Sequence, residues 1–310
     1  MREPASLVSH GEATRRLKVG AAIPHTDIGG DTGALREFAL AVENLGFDHI
    51  VVYDHVLGAD TAVHGGGFLY THKDAFQEAF VCMGFLAGAT RRLGFATGVL
   101  VLSQRQAALA AKQAAQVDLL CAGRLRLGVS VGWNAVEQQA LGTDFADRGA
   151  RLEEQIEVMR RLWTQETVTF NGRFHTIEAA GINPRPLQRP IPVWMGGDAE
   201  PVLHRIGRMA DGWFPHMGAP TESHRRQLAV IRAAARAAGR AESAIGIEPH
   251  VNLTVDKPET WAGSVDAWEN MGAGHLFVST MRGGLPTLAA HLRRLEDFAA
   301  LAPSRLNARR

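Results

Sequence analysis

The chain has 310 residues, 46% apolar and 21% charged, which suits a globular protein with room for one α/β barrel or two ordinary domains. Its 33 basic and 32 acidic residues leave a formal charge of +1, so no global field draws it to nucleic acid or to an anionic membrane. The longest uncharged apolar stretch, AFVCMGFLAGAT at 79–90, is too short to span a bilayer, and the N-terminus lacks the apolar core of a signal peptide.

Residues 1–16 read as a leader, 17–300 as a single domain and 301–310 as a tail. The first candidate strand is LKVGAAI (17–23), with His25 just past its end. A helix follows over 34–45, where Leu35, Phe38, Val42 and Leu45 share one face, Asp31 or Thr32 can cap the start and Gly46 can stop the end. The second strand, HIVVY (49–53), runs straight into Asp54 and His55. The third, LGFATGVLVL (93–102), is interrupted by Gly98, and glycine inside a strand marks a bulge or a closely approached surface. Cys82 and Cys121 lie far apart in apolar helical surroundings and read as reduced thiols of a cytoplasmic protein.

The fourth strand, RLRLGVSV (124–131), opens into Gly132, Trp133 and Asn134. Leu152, Ile156, Met159 and Leu162 then stripe a helix over 147–163. About sixty residues separate the fourth and fifth strands, against roughly thirty for an ordinary βα repeat. The excess holds a hairpin signal at Asn171-Gly172 and four prolines between 184 and 192, and reads as an insertion over the C-terminal mouth of a barrel. IPVWMG (191–196) is the fifth strand; Gly196-Gly197 leads into a helix that Asp198 could cap and whose free N–H groups suit a phosphate. DGWFP (211–215), IGIEPHVNLTV (245–255) and HLFVST (275–280) complete eight strands. Eight apolar strands alternating with helices in one chain predict an α/β fold, a (β/α)8 TIM barrel with an insertion between strands 4 and 5.

In such a barrel the chemistry sits where strands end. Asp54 and His55 reach that face, as a site pair or as a turn cap and an ordinary loop residue. His25, His216 and Met217 are further mouth positions that either line a substrate pocket or sit in turns, Trp133 and Trp213 could wall it, and His250 reads as a barrel-interior histidine. Arg105 could pair with a carboxylate near the third strand's loop. The arginines of 232–242 read as a solvated face. No Rossmann glycine fingerprint, phosphate-binding P-loop, nucleophile elbow or metal-ligand spacing is present, so no metal site is expected.

The blocks LGFDHIVVYDHV, TRRLGFATGVLVLSQRQAALAAKQAAQVDLLCAGRLRLGVSVGWNAVE, RGARLEEQIEVMRRLW and PVWMGGDAEPVLHRIGRMADGWFP resemble the luciferase-like monooxygenase superfamily, and most nearly its branch of oxidoreductases dependent on coenzyme F420. The resemblance runs from about Leu17 to Phe298. It implies a deazaflavin at the C-terminal mouth, with FMN as the alternative, and a hydride passed between its ring and a small-molecule substrate. The FMN alternative implies a monooxygenase using reduced flavin and oxygen. By resemblance Asp54 contacts the coenzyme, His55 orients or protonates the reacting centre, and Gly98-Val99 matches a position where relatives often hold a non-proline cis peptide. Val131, Gly132, Trp133 and Asn134 match the loop that contacts the ribityl chain, and Gly196 and Gly197 are the candidates for phosphate contact. Val131 stands where FMN luciferases have an arginine on the phosphate, which favours the deazaflavin. A homodimer is implied by the family alone.

Overall fold

The computed structural model describes residues 16–216, 218–301 and 305–306. The expected leader (apart from Arg16), Met217 and most of the expected tail lie outside these residues. The strands are β1 (Lys18–Ala22), β2 (His49–Val52), β3 (Gly94–Thr97), β4 (Leu100–Val101), β5 (Leu125–Ser130), β6 (Val168–Asn171), β7 (Thr176–Ala180), β8 (Val193–Gly196), β9 (Gly212–Phe214), β10 (Gly246–Ile247), β11 (His250–Asn252) and β12 (His275–Ser279). All but β6 and β7 form one parallel sheet, ordered β10-β9-β8-β5-β3-β2-β1-β12-β11, with β4 beside β5. Each of the eight expected strands is present. The third is split at Gly98-Val99 and the seventh at Glu248-Pro249.

The seventh strand closes the ring. Its first half pairs with β9 and its second half with β12. Proline has no N–H to give, but the carbonyl of Pro249 still accepts from Phe277 N at 3.0 Å, and Glu248 N donates to Trp213 O at 3.0 Å. The result is the TIM barrel expected from the alternation.

The helices are α1 (His25–Ile28), α2 (Thr32–Asn44), α3 (Thr61–His64), α4 (Ala79–Ala89), α5 (Ala107–Leu120), α6 (Ala135–Ala140), α7 (Arg148–Thr164), α8 (Glu200–Met209), α9 (Glu222–Ala237), α10 (Pro258–Asn270) and α11 (Leu288–Leu301). The long ones turn their apolar stripes onto the sheet: Leu35, Phe38 and Val42 of α2 are buried, with Asp31 capping its first turn as expected. Helix α4 differs, since it carries no charged residue. Cys82, Met83 and Leu86 are buried while Val81 and Phe85 face outward.

The core has two parts. One fills the space between helices and sheet; the other is the barrel lumen, where Ala22, Val51, Ala96, Trp194, Phe214 and Phe277 meet. Side chains alternate along each strand, so residues two apart on a strand share the lumen.

The insertion is present but does not cover the mouth. β6 and β7 form the antiparallel hairpin expected at Asn171-Gly172. Its turn is fastened to α7, where Glu154 accepts from Arg173 N (2.7 Å), Phe174 N (2.8 Å) and His175 Nδ1 (2.8 Å). The following segment is tied beside the start of β5, Gln188 donating to Asp118 and to Leu125 O. These bonds hold the insertion against the helical layer, and it adds no residue to the cleft described next.

Candidate active site

At the C-terminal ends of the strands lies a cleft of ≈ 580 Å³. Its floor is set by residues one step above the apolar lumen layer: Tyr53, Gly98, Gly196 and His250, with Phe214 and Phe277 beneath. Space exists there because side chains are missing. A Cβ on Gly98 would fall 2.4 Å from Val51 Cγ1, so the position admits no side chain. The Gly98-Val99 peptide is cis, and Val99 lines the cleft. Gly132 has φ +73°, a backbone conformation that favours glycine, and turns the strand-four loop so that Val131 and Trp133 reach the cavity.

Asp54 is buried and does not line this cleft, but it lines a smaller cavity of ≈ 200 Å³ beside it. It accepts from Val101 N at 2.9 Å and from Arg105 at 2.6 Å (Nη2) and 3.4 Å (Nε). Arg105 also donates to Glu78 at 2.9 Å. Burial opposes the charge on Arg105, but the Asp54 and Glu78 carboxylates outweigh it and hold its pKa above the ordinary value. Asp54 therefore braces the end of the split third strand, and the expected Arg105 pair is real.

His55 does reach open space. Its ring sits between Tyr70 (5.1 Å between centroids), Phe76 (4.9 Å) and Trp133 (5.6 Å), and it lines two further cavities, of ≈ 200 and ≈ 260 Å³. Nδ1 lies 3.3 Å from Glu137 Oε2. Burial pushes the Glu137 carboxyl up, but bonds from His55 and from Val56 N and Leu57 N prevail, and its pKa is lowered. An ionised carboxylate only accepts, so Nδ1 carries the proton and Nε2 is left to act on a ligand. Nε2 has no hydrogen-bond partner among the described residues.

Glu137 was not a sequence-level candidate. Asn134 was, and the structure shows what its side chain does within the fold. It is the buried N-cap of α6, accepting from Val136 N (3.1 Å) and Glu137 N (3.3 Å), which sets Glu137 one turn into the helix. The N-cap followed three residues later by a glutamate was the available signal.

His25 is buried, bonded through Nδ1 to Gln77 and accepting from Tyr53 N at 3.2 Å, and lines none of the three cavities. Burial pushes its imidazole down to about 4. It stabilises the end of strand two and lies outside these three cavities. Gly196, Gly197 and His216 do line the cleft. Asp198 does not cap α8: the N-cap is Ala199, and Asp198 instead lies 3.5 Å from His216 Nε2. Trp213 stands behind the glycine turn, donating to Gly197 O at 3.2 Å, whereas Trp133 is a true wall. His250 lines the cleft, stacked on Phe277 at 4.6 Å, with Nε2 buried and without a hydrogen-bond partner among the described residues. Its place two residues beyond Glu248 on the seventh strand put it in the lumen.

The sequence profile described as luciferase-like monooxygenase matches residues 17–302. The chain belongs to the luciferase-like monooxygenase family. As a luciferase-like chain it is an oxidoreductase. Among its relatives is an uncharacterized protein of Mycobacterium tuberculosis, 34% identical over 72% of this chain and 76% of that protein. Another is the F420-dependent glucose-6-phosphate dehydrogenase of Segniliparus rotundus, 31% identical over 73% of this chain and 66% of the relative. Solved structures share the luciferase-like barrel. The monooxygenase RslO1 of Streptomyces bottropensis has a TM-score of 0.76 at 19% identity, covering 93% of this chain and 99% of its own. An F420-dependent secondary alcohol dehydrogenase has a TM-score of 0.75 at 17% identity, covering 95% and 100%.

Proposed function

We propose that this luciferase-like enzyme transfers a hydride between coenzyme F420 and a small organic substrate. The observation that carries the reading is the cleft itself. Three strand ends made of glycine, at Gly98, Gly132 and Gly196-Gly197, leave a slot walled by Val99, Val131, Trp133 and Phe277. A flat, largely apolar tricycle fits such a slot. The orphaned Nε2 of His250 at its base offers the ring a polar partner. Relatives named for F420 dependence at 28 to 31% identity support the same coenzyme.

In this reading Gly98, Val99, Val131, Gly132 and Trp133 hold the ring, and Gly196 and Gly197 at the start of α8 meet the phosphate. Asp54 acts through Arg105 and Val101 by fixing the third strand's end. When bound, the deazaflavin supplies a two-electron hydride donor or acceptor. His55 Nε2 takes or returns the substrate's proton, Glu137 holds the imidazole in the tautomer this needs, and the aromatic cover of Tyr70 and Phe76 limits water.

Titration with F420 and with reduced FMN, followed by anaerobic and aerobic turnover, tests the reading. F420 binding with His55→Ala lowering turnover about 10²-fold, while the coenzyme Kd holds, is the expected result. Binding of reduced FMN with oxygen consumption, and none of F420, would assign the cleft to FMN monooxygenase chemistry instead. The buried free thiols of Cys82 and Cys121 support a reducing, cytoplasmic setting. The outward Val81 and Phe85 of the uncharged α4 support a homodimer formed across that face.

A further inference from the structure

We infer that the base of the barrel, at the end opposite the candidate active site, holds a second site, for a small anion carrying two or more charges. The inference does not depend on the coenzyme reading. A cavity of ≈ 490 Å³ opens there among the strand starts. Lys18 at the start of β1, Arg92 before β3, Arg124 before β5 and the half-buried His275 of β12 line it, over a floor that includes His49, Arg126 and Trp194.

Glycines seat that floor. The Trp194 indole lies across the starts of β9 and β10, where a Cβ on Gly212 would fall 2.2 Å from it and one on Gly246 2.5 Å. The His49 ring is seated in the same way on Gly20, where a Cβ would fall 2.3 Å from Nε2. Both rings therefore lie against backbone, and the space below them stays open.

The charges around this cavity do not cancel. Glu248 is matched by Arg126 and His49. Asp48 accepts from Val19 N at 2.8 Å and pairs with Arg16, and Asp211 accepts from Val193 N at 2.8 Å and from Arg160 at 2.9 Å. Arg92 lies near Glu43, but that carboxylate already accepts from the backbone N–H groups of residues 91–93. Lys18 and Arg124 form no ion pair among the described residues. Arg124 donates through Nε to Leu93 O and through Nη2 to Arg91 O, each at 3.0 Å, which fixes the guanidinium but leaves its charge unmatched and Nη1 unbonded. His275 makes no hydrogen bond among the described residues, and burial, helped by the charge of Arg126, pushes its imidazole down to about 2. It stays neutral and keeps one donor and one acceptor for a ligand.

An anion entering here loses water but meets cations already held in place, and three of them around one cavity suit more than one negative charge. The apolar lumen layer separates this site from the cleft. The N-terminal face of a barrel ordinarily serves stability, and a ligand bound only by the folded chain raises it.

The test is isothermal titration and thermal unfolding of the full chain with pyrophosphate, citrate and acetate at about 0.15 M salt. At least one of the two polyanions is expected to bind with a Kd below about 1 mM and to raise Tm by at least about 3 °C at about 10 mM, with acetate at least tenfold weaker. Whichever polyanion binds more tightly identifies the ligand as a phosphate or a polycarboxylate. Arg124→Gln is expected to weaken that binding at least about tenfold. Because Arg124 also fastens two carbonyls, the exposed Lys18→Gln provides a second variant, with a loss of at least about threefold. No binding of either polyanion at about 10 mM, acetate binding as tightly as both, or unchanged affinity in the two variants would overturn the inference.

Discussion

His25 shows how one buried imidazole couples stability to pH. Both ring nitrogens are engaged and burial lowers its pKa to about 4. The unfolded chain takes up the proton near 6.5, the folded chain only near 4, so stability falls as pH drops through that window. The contribution of this group to ∂ΔG/∂pH approaches about 1.4 kcal/mol per pH unit between the two values. His25→Gln is expected to remove that increment from urea-unfolding free energies measured between pH 6.5 and 4. An unchanged slope would show that His25 titrates freely. The Asp54–Arg105 pair makes the complementary case. Arg105→Met leaves a buried carboxylate with only a backbone donor and Glu78 without its cation, and a loss of about 3 kcal/mol in unfolding free energy is expected. These two residues also show why site roles are hard to read from sequence. His25 and Asp54 have the residue types of chemistry, and what turns them into braces is Gln77 and Arg105, some fifty positions along the chain.

The strands and helices were legible because apolar runs and 3.6-residue stripes are local properties of the chain. Their ends were less so. Pro249 splits the seventh strand without opening the ring, and Ala199 rather than Asp198 begins α8. The hairpin at Asn171-Gly172 was legible from its turn, whereas its position depends on Glu154 catching three donors from the loop, a contact no local pattern encodes. The turn at Gly132 is the element-level feature with most consequence for the site. A side chain there meets both an unfavourable φ and Val101 Cγ1 at 2.5 Å. Gly132→Ala is therefore expected to destabilise by about 1–3 kcal/mol and to displace Val131 and Trp133 from the cleft. Coenzyme binding by this variant should weaken at least tenfold in a fluorescence titration; wild-type affinity would show that the strand-four loop does not hold the ring.

At the scale of the whole molecule the barrel lumen is layered, and the layers separate two electrostatic environments. Near the strand starts, Glu248 accepts from Arg126 and His49 and is buried between them, beside Trp194 and His275. Burial pushes the Glu248 carboxyl up, but Arg126 and His49 outweigh it and hold it well below the usual carboxylate range. A carboxyl lowered in this way contributes stability at and above the ordinary range and loses it only as the medium turns strongly acid. Above this polar layer lie Ala22, Val51, Ala96, Phe214 and Phe277, and only above them does the cleft begin. The apolar layer admits no polar contact between the two ends, so a charge removed below should not be felt above. Arg126→Met strips Glu248 of its guanidinium partner and is expected to lower unfolding free energy by about 3 kcal/mol. F420 affinity and turnover of the folded variant should remain within about twofold of wild type, since a lost stabilising contact that leaves the site's geometry unchanged does not enter the binding equilibrium. A variant that stays folded but binds F420 tenfold more weakly would mean that the lumen transmits strain from its base to its mouth, and the cleft would then have to be treated as one unit with the ion cluster beneath it.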